Sequence, residues 1–88
     1  MFQMTWIRLR DYHILTSGAL TQTMDGRFGV VRGETVDWAL RIRFVQLRDQ
    51  GLYECQVRGQ IYIRVVRKKH VYKKRIFIYT NSVGIMHD

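Results

Sequence analysis

The sequence contains no proline, one cysteine, and 7 acidic residues against 15 basic ones. A single cysteine excludes an internal disulfide within this sequence, so cysteine usage does not indicate a redox compartment. No run of about 18 apolar residues occurs, which excludes a transmembrane helix. The apolar start before Arg8 is too short for a signal peptide. The net charge of +8 favours acidic partners but does not determine the fold.

The pattern of apolar residues indicates a small β protein. A length of 88 residues is enough for one small domain. Helical periodicity is weak, and apolar and polar residues alternate in short runs, as in strands. The alternation predicts strands at residues 2–9, 13–16, 27–32, 37–44, 51–58 and 60–66. Several short strands at this spacing favour a sandwich or a barrel.

The composition changes after residue 66. Residues 67–75, RKKHVYKKR, are mostly basic, and residues 76–88 contain an apolar strand-like piece and a polar end. We therefore predict one domain at residues 3–66. Residues 67–88 form a basic C-terminal tail whose structure the pattern does not define.

The stretch RDQGLYECQV places an acid, a glycine, a tyrosine and a cysteine at every second position, Asp49, Gly51, Tyr53 and Cys55. In an immunoglobulin sandwich, the strand before the last carries a cysteine that is bonded to the other sheet. A tyrosine two residues earlier donates a hydrogen bond to backbone just upstream, the tyrosine corner. Glycine permits the tight start of this strand at Gly51.

Two further residues fit the same fold. Asp49 requires a cation if it lies near the end of a sandwich, and Arg27, at the head of the third strand, is the expected partner. We interpret this pair as structural. Trp6 corresponds to the tryptophan that strand C buries against the disulfide. The order of these residues is that of a variable-type domain from strand C onward.

Three blocks of sequence, WIRLRDYHILTSG, T-x-T-x-D-x-RF and DWALRIRFVQLRDQGLYECQV, resemble the first immunoglobulin domain of the Dpr (defective proboscis extension response) family. The resemblance runs from about Thr5 to Val57. It implies that the full-length protein is a neuronal cell-surface protein with two extracellular immunoglobulin domains and a membrane anchor. It also implies binding to the Dpr-interacting proteins, in synapse organisation and neuronal partner choice.

The sequence departs from the family in several respects, of which the largest is that strands A and B are not in it. The predicted fold class is therefore all-β, an incomplete variable-type immunoglobulin-like sandwich, and Cys55 is half of a disulfide whose partner is missing. We expect strand E to become a bare sheet edge, and Trp6 and Cys55 to lose their cover. Because a native disulfide typically contributes about 2–5 kcal/mol, we expect a fragment that does not fold alone.

The predicted partner surface is the outward face of strands C, C′, F and G, with residues 60–66 as strand G. Ile7 and Leu9 alternate with inward residues, and contiguous outward apolar residues mark a binding surface. In the resembled family this face binds the partner domain. The remaining residues predicted for it are Ile14, Leu15, Leu52, Glu54 and Gln56. Ile14 and Leu15 are neighbours, and the sequence does not decide which one points outward, because a one-residue slip inverts the face.

Other functions have less support in the sequence. No cysteine or histidine lies at zinc-ligand spacing, and His13, His70 and His87 accompany no nucleophile, so we predict no enzyme, metal or cofactor. The alternative function is that of a small basic β protein that binds nucleic acid or anionic membrane through residues 67–75. No nucleic-acid motif accompanies this run, and we do not expect nucleic acid as the partner.

Overall fold

The computed structural model of the chain describes residues 4–32, 38–67, 76–79 and 84–87. The strands in this part of the chain are β1 Met4–Arg8, β2 His13–Ser17, β3 Leu20–Thr21, β4 Phe28–Arg32, β5 Trp38–Ile42, β6 Gly51–Val57, β7 Gln60–Val66, β8 Ile76–Tyr79 and β9 Gly84–His87. They form a five-stranded sheet in the order β3–β2–β1–β6–β7 and a four-stranded sheet in the order β4–β5–β8–β9. The prediction of an all-β protein with two sheets is confirmed.

Strand β6 shows how alternation in the sequence becomes two faces of a sheet. Tyr53, Cys55 and Val57 are buried, whereas Leu52 and Gln56 are exposed. The strand is central because it pairs with β1 on one side and with β7 on the other. These pairings place the outward residues of β6 inside the first sheet rather than at its edge.

The hairpin between β6 and β7 has a two-residue turn. Arg58 and Gly59 have φ angles of 52° and 75°, and Val57 pairs directly with Gln60. Positive φ at both central residues is typical of a type I′ turn, whose twist matches that of the flanking strands. The turn therefore fixes the register of β7 against β6, and β7 spans the residues that its alternation predicts.

The core lies between the two sheets and receives side chains from both. Trp6 and Cys55 are directly opposed on β1 and β6 and have no exposed surface. The prediction that these two residues lose their cover is therefore wrong. The buried cluster consists of Met4, Trp6, Leu15, Phe28, Leu40, Ile42, Val45, Tyr53, Cys55, Val57 and Val66.

Strand β5 corresponds to strand E, and it is not an edge. It lies between β4 and β8, with Leu40, Arg41 and Ile42 opposite Tyr79, Ile78 and Phe77. The predicted bare edge is therefore wrong, because a strand from the C-terminal part of the chain pairs with it. Local alternation identifies a strand-like piece there but does not specify a partner so distant in sequence.

Candidate binding face

The outer surface of the five-stranded sheet carries a row of side chains that crosses four strands. Ile14 on β2 is opposite Ile7 on β1, and Ile7 is opposite Glu54 on β6. Glu54 is in turn opposite Ile63 on β7. Directly opposed residues of antiparallel strands point to the same side of a sheet, so the register places the whole row on one face.

Neighbouring rows extend this surface. Gln56 pairs with Ile61 and Leu52 pairs with Val65, and the Leu9 amide donates a 3.0 Å hydrogen bond to the Leu52 carbonyl. We call the resulting surface the recognition face and define it by Ile7, Leu9, Ile14, Leu52, Glu54, Gln56, Ile61 and Ile63.

The recognition face exposes several large aliphatic side chains. Ile14 is 48% exposed, Leu52 47%, Ile61 58% and Ile63 42%. Scattered surface hydrophobes are normal in soluble proteins, but a contiguous apolar patch marks an interaction site. Strand G is part of the predicted face, but Ile61 and Ile63 are not among the residues named for it, although their alternation in the sequence is a signal that places them there.

Ile7 occupies the floor of the recognition face rather than its surface. Its register partners put it on the outward side of the sheet, as its alternation with Trp6 predicts, but only 8% of it is exposed. Its partners across the strands are Ile14 and Glu54. Ile7 therefore supports the exposed residues that surround it on this face.

Leu15 does not belong to the binding face, and its assignment there is wrong. It is fully buried and belongs to the core cluster, whereas Ile14 is about half exposed. The reason is an irregularity in the pairing of β1 and β2. Trp6 pairs with Thr16 and Ile7 with Ile14, so Leu15 has no directly opposed partner on β1. A bulge of this kind changes the direction of the side chains that follow it.

The polar members of the face are Glu54 and Gln56. Only 9% of Glu54 is exposed, and its carboxylate accepts a hydrogen bond from the Gln56 side-chain amide. Burying a charged carboxylate costs free energy unless hydrogen-bond donors compensate for the lost water. A partner that covers this face must therefore present a donor to Glu54, which favours selective binding over general stickiness.

The start of β6 is held by a hydrogen-bonded cluster of Arg27, Asp49 and Tyr53. Asp49, in the 3₁₀ helix Leu47–Asp49, accepts hydrogen bonds of 2.6 and 2.8 Å from the two Nη atoms of Arg27. It also accepts a 2.7 Å bond from the Gln46 amide. The Tyr53 hydroxyl donates a 2.7 Å bond to the Asp49 carbonyl, the geometry of a tyrosine corner.

The electrostatics of this corner follow from its burial. Burial and the nearby Asp49 carboxylate raise the pKa of Tyr53 to about 12. Hydrogen bonds to Asp49 and Asp25 raise the pKa of Arg27 despite its partial burial. Gly51, two residues after Asp49, has a φ angle of 133°, which L-residues rarely adopt. Arg27, Tyr53 and Gly51 therefore each stabilise or permit the conformation at the start of β6.

The remaining chemical hypotheses have no counterpart in the described part of the chain. Across residues 4–32, 38–67, 76–79 and 84–87, no three His, Cys, Asp or Glu residues cluster as metal ligands. No helix in those ranges is long and apolar enough to cross a membrane. The alternative nucleic-acid or membrane site at residues 67–75 lies outside the described residues, except for Arg67.

Comparison with known proteins points to one group. No protein-family model matches the chain. The Zwei Ig domain protein zig-8 of Caenorhabditis elegans is 29% identical over 70 residues, covering 73% of this chain and 26% of that protein. This chain therefore spans about a quarter of that curated relative.

Two solved structures are similar in both fold and sequence. The ZIG-8 IG1 homodimer aligns with a TM-score of 0.72 and 27% identity, over 76% of this chain and 60% of that one. The structure of Dpr11 IG1 bound to DIP-gamma aligns with a TM-score of 0.65 and 40% identity, over 75% of this chain and 70% of the matched one. Both are complexes that contain first immunoglobulin domains.

Proposed function

This chain belongs to the Dpr family of immunoglobulin-domain proteins, and from that premise we propose that its recognition face binds an immunoglobulin domain of another cell-surface protein. The activity is non-catalytic binding between two β-sheets. The proposed partners are the Dpr-interacting proteins, because Dpr11 IG1 is bound to DIP-gamma in the solved structure. We further propose that the full-length protein acts at the neuronal plasma membrane, in synapse organisation and partner choice.

One observation supports the proposal above all others, namely the contiguous apolar surface across β2, β1, β6 and β7. Ile14 and Ile63 stand at the two ends of a row whose middle is Ile7 and Glu54. Apolar side chains that surround a nearly buried polar group are typical of an interface core, which is densely packed and contains few charged residues. A partner surface of complementary shape would bury the isoleucines and supply a hydrogen-bond donor to the Glu54 carboxylate.

The experiment compares two variants that make the same chemical change at similar exposure. Ile14→Asp places a charge on the recognition face, where Ile14 is 48% exposed. Leu47→Asp places it in the 3₁₀ helix, where Leu47 is 53% exposed and off the five-stranded sheet. Binding to the immunoglobulin domains of DIP-gamma, to those of the other Dpr-interacting proteins and to a second copy of the chain is measured by calorimetry.

We expect Ile14→Asp to weaken binding at least about 30-fold, which corresponds to about 2 kcal/mol, because the partner would bury the new carboxylate among apolar side chains. Leu47→Asp should leave the dissociation constant within about threefold of the unmodified chain. Circular dichroism of both variants checks that the fold is retained. The proposal is contradicted if both substitutions weaken binding equally, or if no tested domain binds at about 0.1 mM.

A further inference from the structure

The four-stranded sheet has the strand order of an immunoglobulin domain but a different order along the chain. In a variable-type sandwich this sheet has the order A–B–E–D, and strands A and B precede strand C in sequence. Here β4 and β5 take the places of D and E, and the two remaining places are taken by β8 and β9. Both of these strands follow β7 in sequence.

The pairing of β5 with β8 extends the sheet beside core residues. Leu40 and Ile42 have no exposed surface, and the register puts positions 79 and 77 directly opposite them. An antiparallel register of this kind aligns the two strands so that opposed positions share one face of the sheet. Position 78 lies opposite Arg41, on the other face. The edge of β5 that pairs with β8 therefore fixes the register of β8 and the face of the sheet on which each of its positions lies.

The length of the chain allows this connection. Eight residues, 68–75, separate Arg67, which directly follows β7, from Ile76 at the start of β8. Packed sheets lie about 10 Å apart, and eight extended residues span up to about 26 Å. The C-terminal strands can thus reach the second sheet of the same molecule without displacing β7 from the first.

The donor segment is also suited to form a hairpin of its own. Ile76 pairs with His87 and Tyr79 with Gly84, so four residues connect β8 to β9. These residues, Thr-Asn-Ser-Val, include three types that favour turns through side-chain bonds to their own backbone, namely Thr, Asn and Ser. β8 itself, Ile-Phe-Ile-Tyr, consists of residue types with high strand propensity.

We propose that β8 and β9 are an intramolecular strand donor and that the edge of β5 opposite β4 is the strand-binding site that receives β8. Main-chain hydrogen bonds to β5 supply the affinity, as in other complexes in which a strand is added to the edge of a sheet. The alternation of positions 77 and 79 with position 78 determines the register. In the order of the second sheet, β8 and β9 occupy the positions that strands B and A have in a variable-type domain. The recognition face, which is on the other sheet, is independent of this arrangement.

Residue-resolved amide hydrogen exchange of the unmodified 88-residue chain tests whether β5 has a neighbour on both sides. In an edge strand only every second amide is bonded to another strand, whereas in a central strand all are. We expect the consecutive amides of Leu40, Arg41 and Ile42 each to exchange at least about 100-fold more slowly than in an unfolded chain. Alternation of slow and fast exchange along these three residues would overturn the proposal.

A pair of cysteines tests the register and the origin of the donor. Arg41→Cys with Ile78→Cys places two thiols at directly opposed positions, where the Cα separation of about 4.5–5.5 Å suits a disulfide. Arg41→Cys with Ile76→Cys is the matched control, since position 76 is displaced by two residues along the same face and lies about 7–8 Å away. Peptide mapping distinguishes either disulfide from one that involves Cys55.

We expect the 41–78 disulfide to form at least about tenfold faster than the 41–76 disulfide and to be found in the monomer. Equal rates for the two pairs would overturn the proposed register. A 41–78 disulfide found only between two chains would overturn the intramolecular donor and assign the β5 edge to a second copy.

Discussion

Arg27 and Asp49 form an ion pair through two parallel hydrogen bonds, with Nη1–Oδ2 and Nη2–Oδ1 distances of 2.6 and 2.8 Å. The pair joins the start of β4, in the second sheet, to the 3₁₀ helix that precedes β6 in the first. Asp49 is 1% exposed and the Arg27 side chain 14%. The interaction therefore fixes the two sheets at one end of the sandwich.

Loss of the Asp49 charge should strongly destabilise the fold. Breaking a buried ion pair by removing one partner typically costs about 3–5 kcal/mol, and we expect a loss near the lower end for Asp49→Asn, since Asp25 also contacts Arg27. Urea unfolding measures this loss. Asp25→Asn is the control, because Asp25 is 29% exposed and its replacement should cost about 1 kcal/mol or less. Equal losses for the two variants would contradict the assigned role of Asp49.

The raised pKa of Tyr53 predicts a loss of stability at high pH. The folded protein holds this proton up to a pKa of about 12, whereas tyrosine in the unfolded chain ionises near pH 10. The contribution of Tyr53 is therefore complete below about pH 10 and decreases by about 2–3 kcal/mol as the pH rises to 12.

Phenylalanine at position 53 isolates this effect. Tyr53→Phe should remove that part of the pH dependence and should cost about 1–3 kcal/mol at neutral pH, since the buried Asp49 carbonyl loses its donor. Tyr12→Phe is the control, because Tyr12 is 74% exposed and should leave the profile unchanged. Unfolding free energies between pH 7 and 12 give the comparison, and identical profiles for Tyr53→Phe and the unmodified chain would refute the explanation.

Gly51 and Gly26 allow the cost of backbone strain to be measured without a steric clash. A Cβ atom at Gly51 or at Gly26 would meet nothing within 4 Å, but only Gly51 has a φ in the left-handed region, at +133°. Gly51→Ala should therefore cost about 1–3 kcal/mol, whereas Gly26→Ala should change the free energy of unfolding by less than about 0.5 kcal/mol. Thermal unfolding of the pair measures the difference, and a neutral Gly51→Ala would show that this conformation is not required.

Ile14 and Leu15 are neighbours with different expected roles. Leu15→Ala should cost about 2–5 kcal/mol of stability because it opens a cavity in the core. Ile14→Ala should change stability by only about 0.5 kcal/mol but should weaken partner binding. Stability and binding measured on the same two variants test the assignment, and it fails if Leu15→Ala is the milder change in unfolding.

The elements that the sequence predicts well depend on local signals. Tyr53 and Cys55 are two residues apart in an alternating strand, and both are buried as that spacing indicates. Arg27 pairs with Asp49 because a buried carboxylate requires a cation, and the order along the chain leaves Arg27 at the right place. The boundaries of β7 follow directly from its alternation.

The elements that it misses depend on contacts between distant residues. The irregular pairing between Trp6 and Ile7 determines that Ile14 points outward and Leu15 inward, and a one-residue change of register reverses such an assignment. Strand β3 has only two residues, both exposed, so it lacks an alternating pattern. The pairing of β8 with β5 joins residues that are more than thirty positions apart, which local propensity does not specify.

The most direct test of the central claim, that the outer face of the five-stranded sheet is the recognition surface, is methyl chemical-shift mapping. The chain, labelled at its isoleucine and leucine methyl groups, is titrated with the immunoglobulin domains of DIP-gamma. We expect the largest shifts at Ile14, Leu52 and Ile63, and little change at Leu40 and Ile42 on the second sheet. Shifts confined to the second sheet, with those three methyl groups unchanged, would contradict the claim.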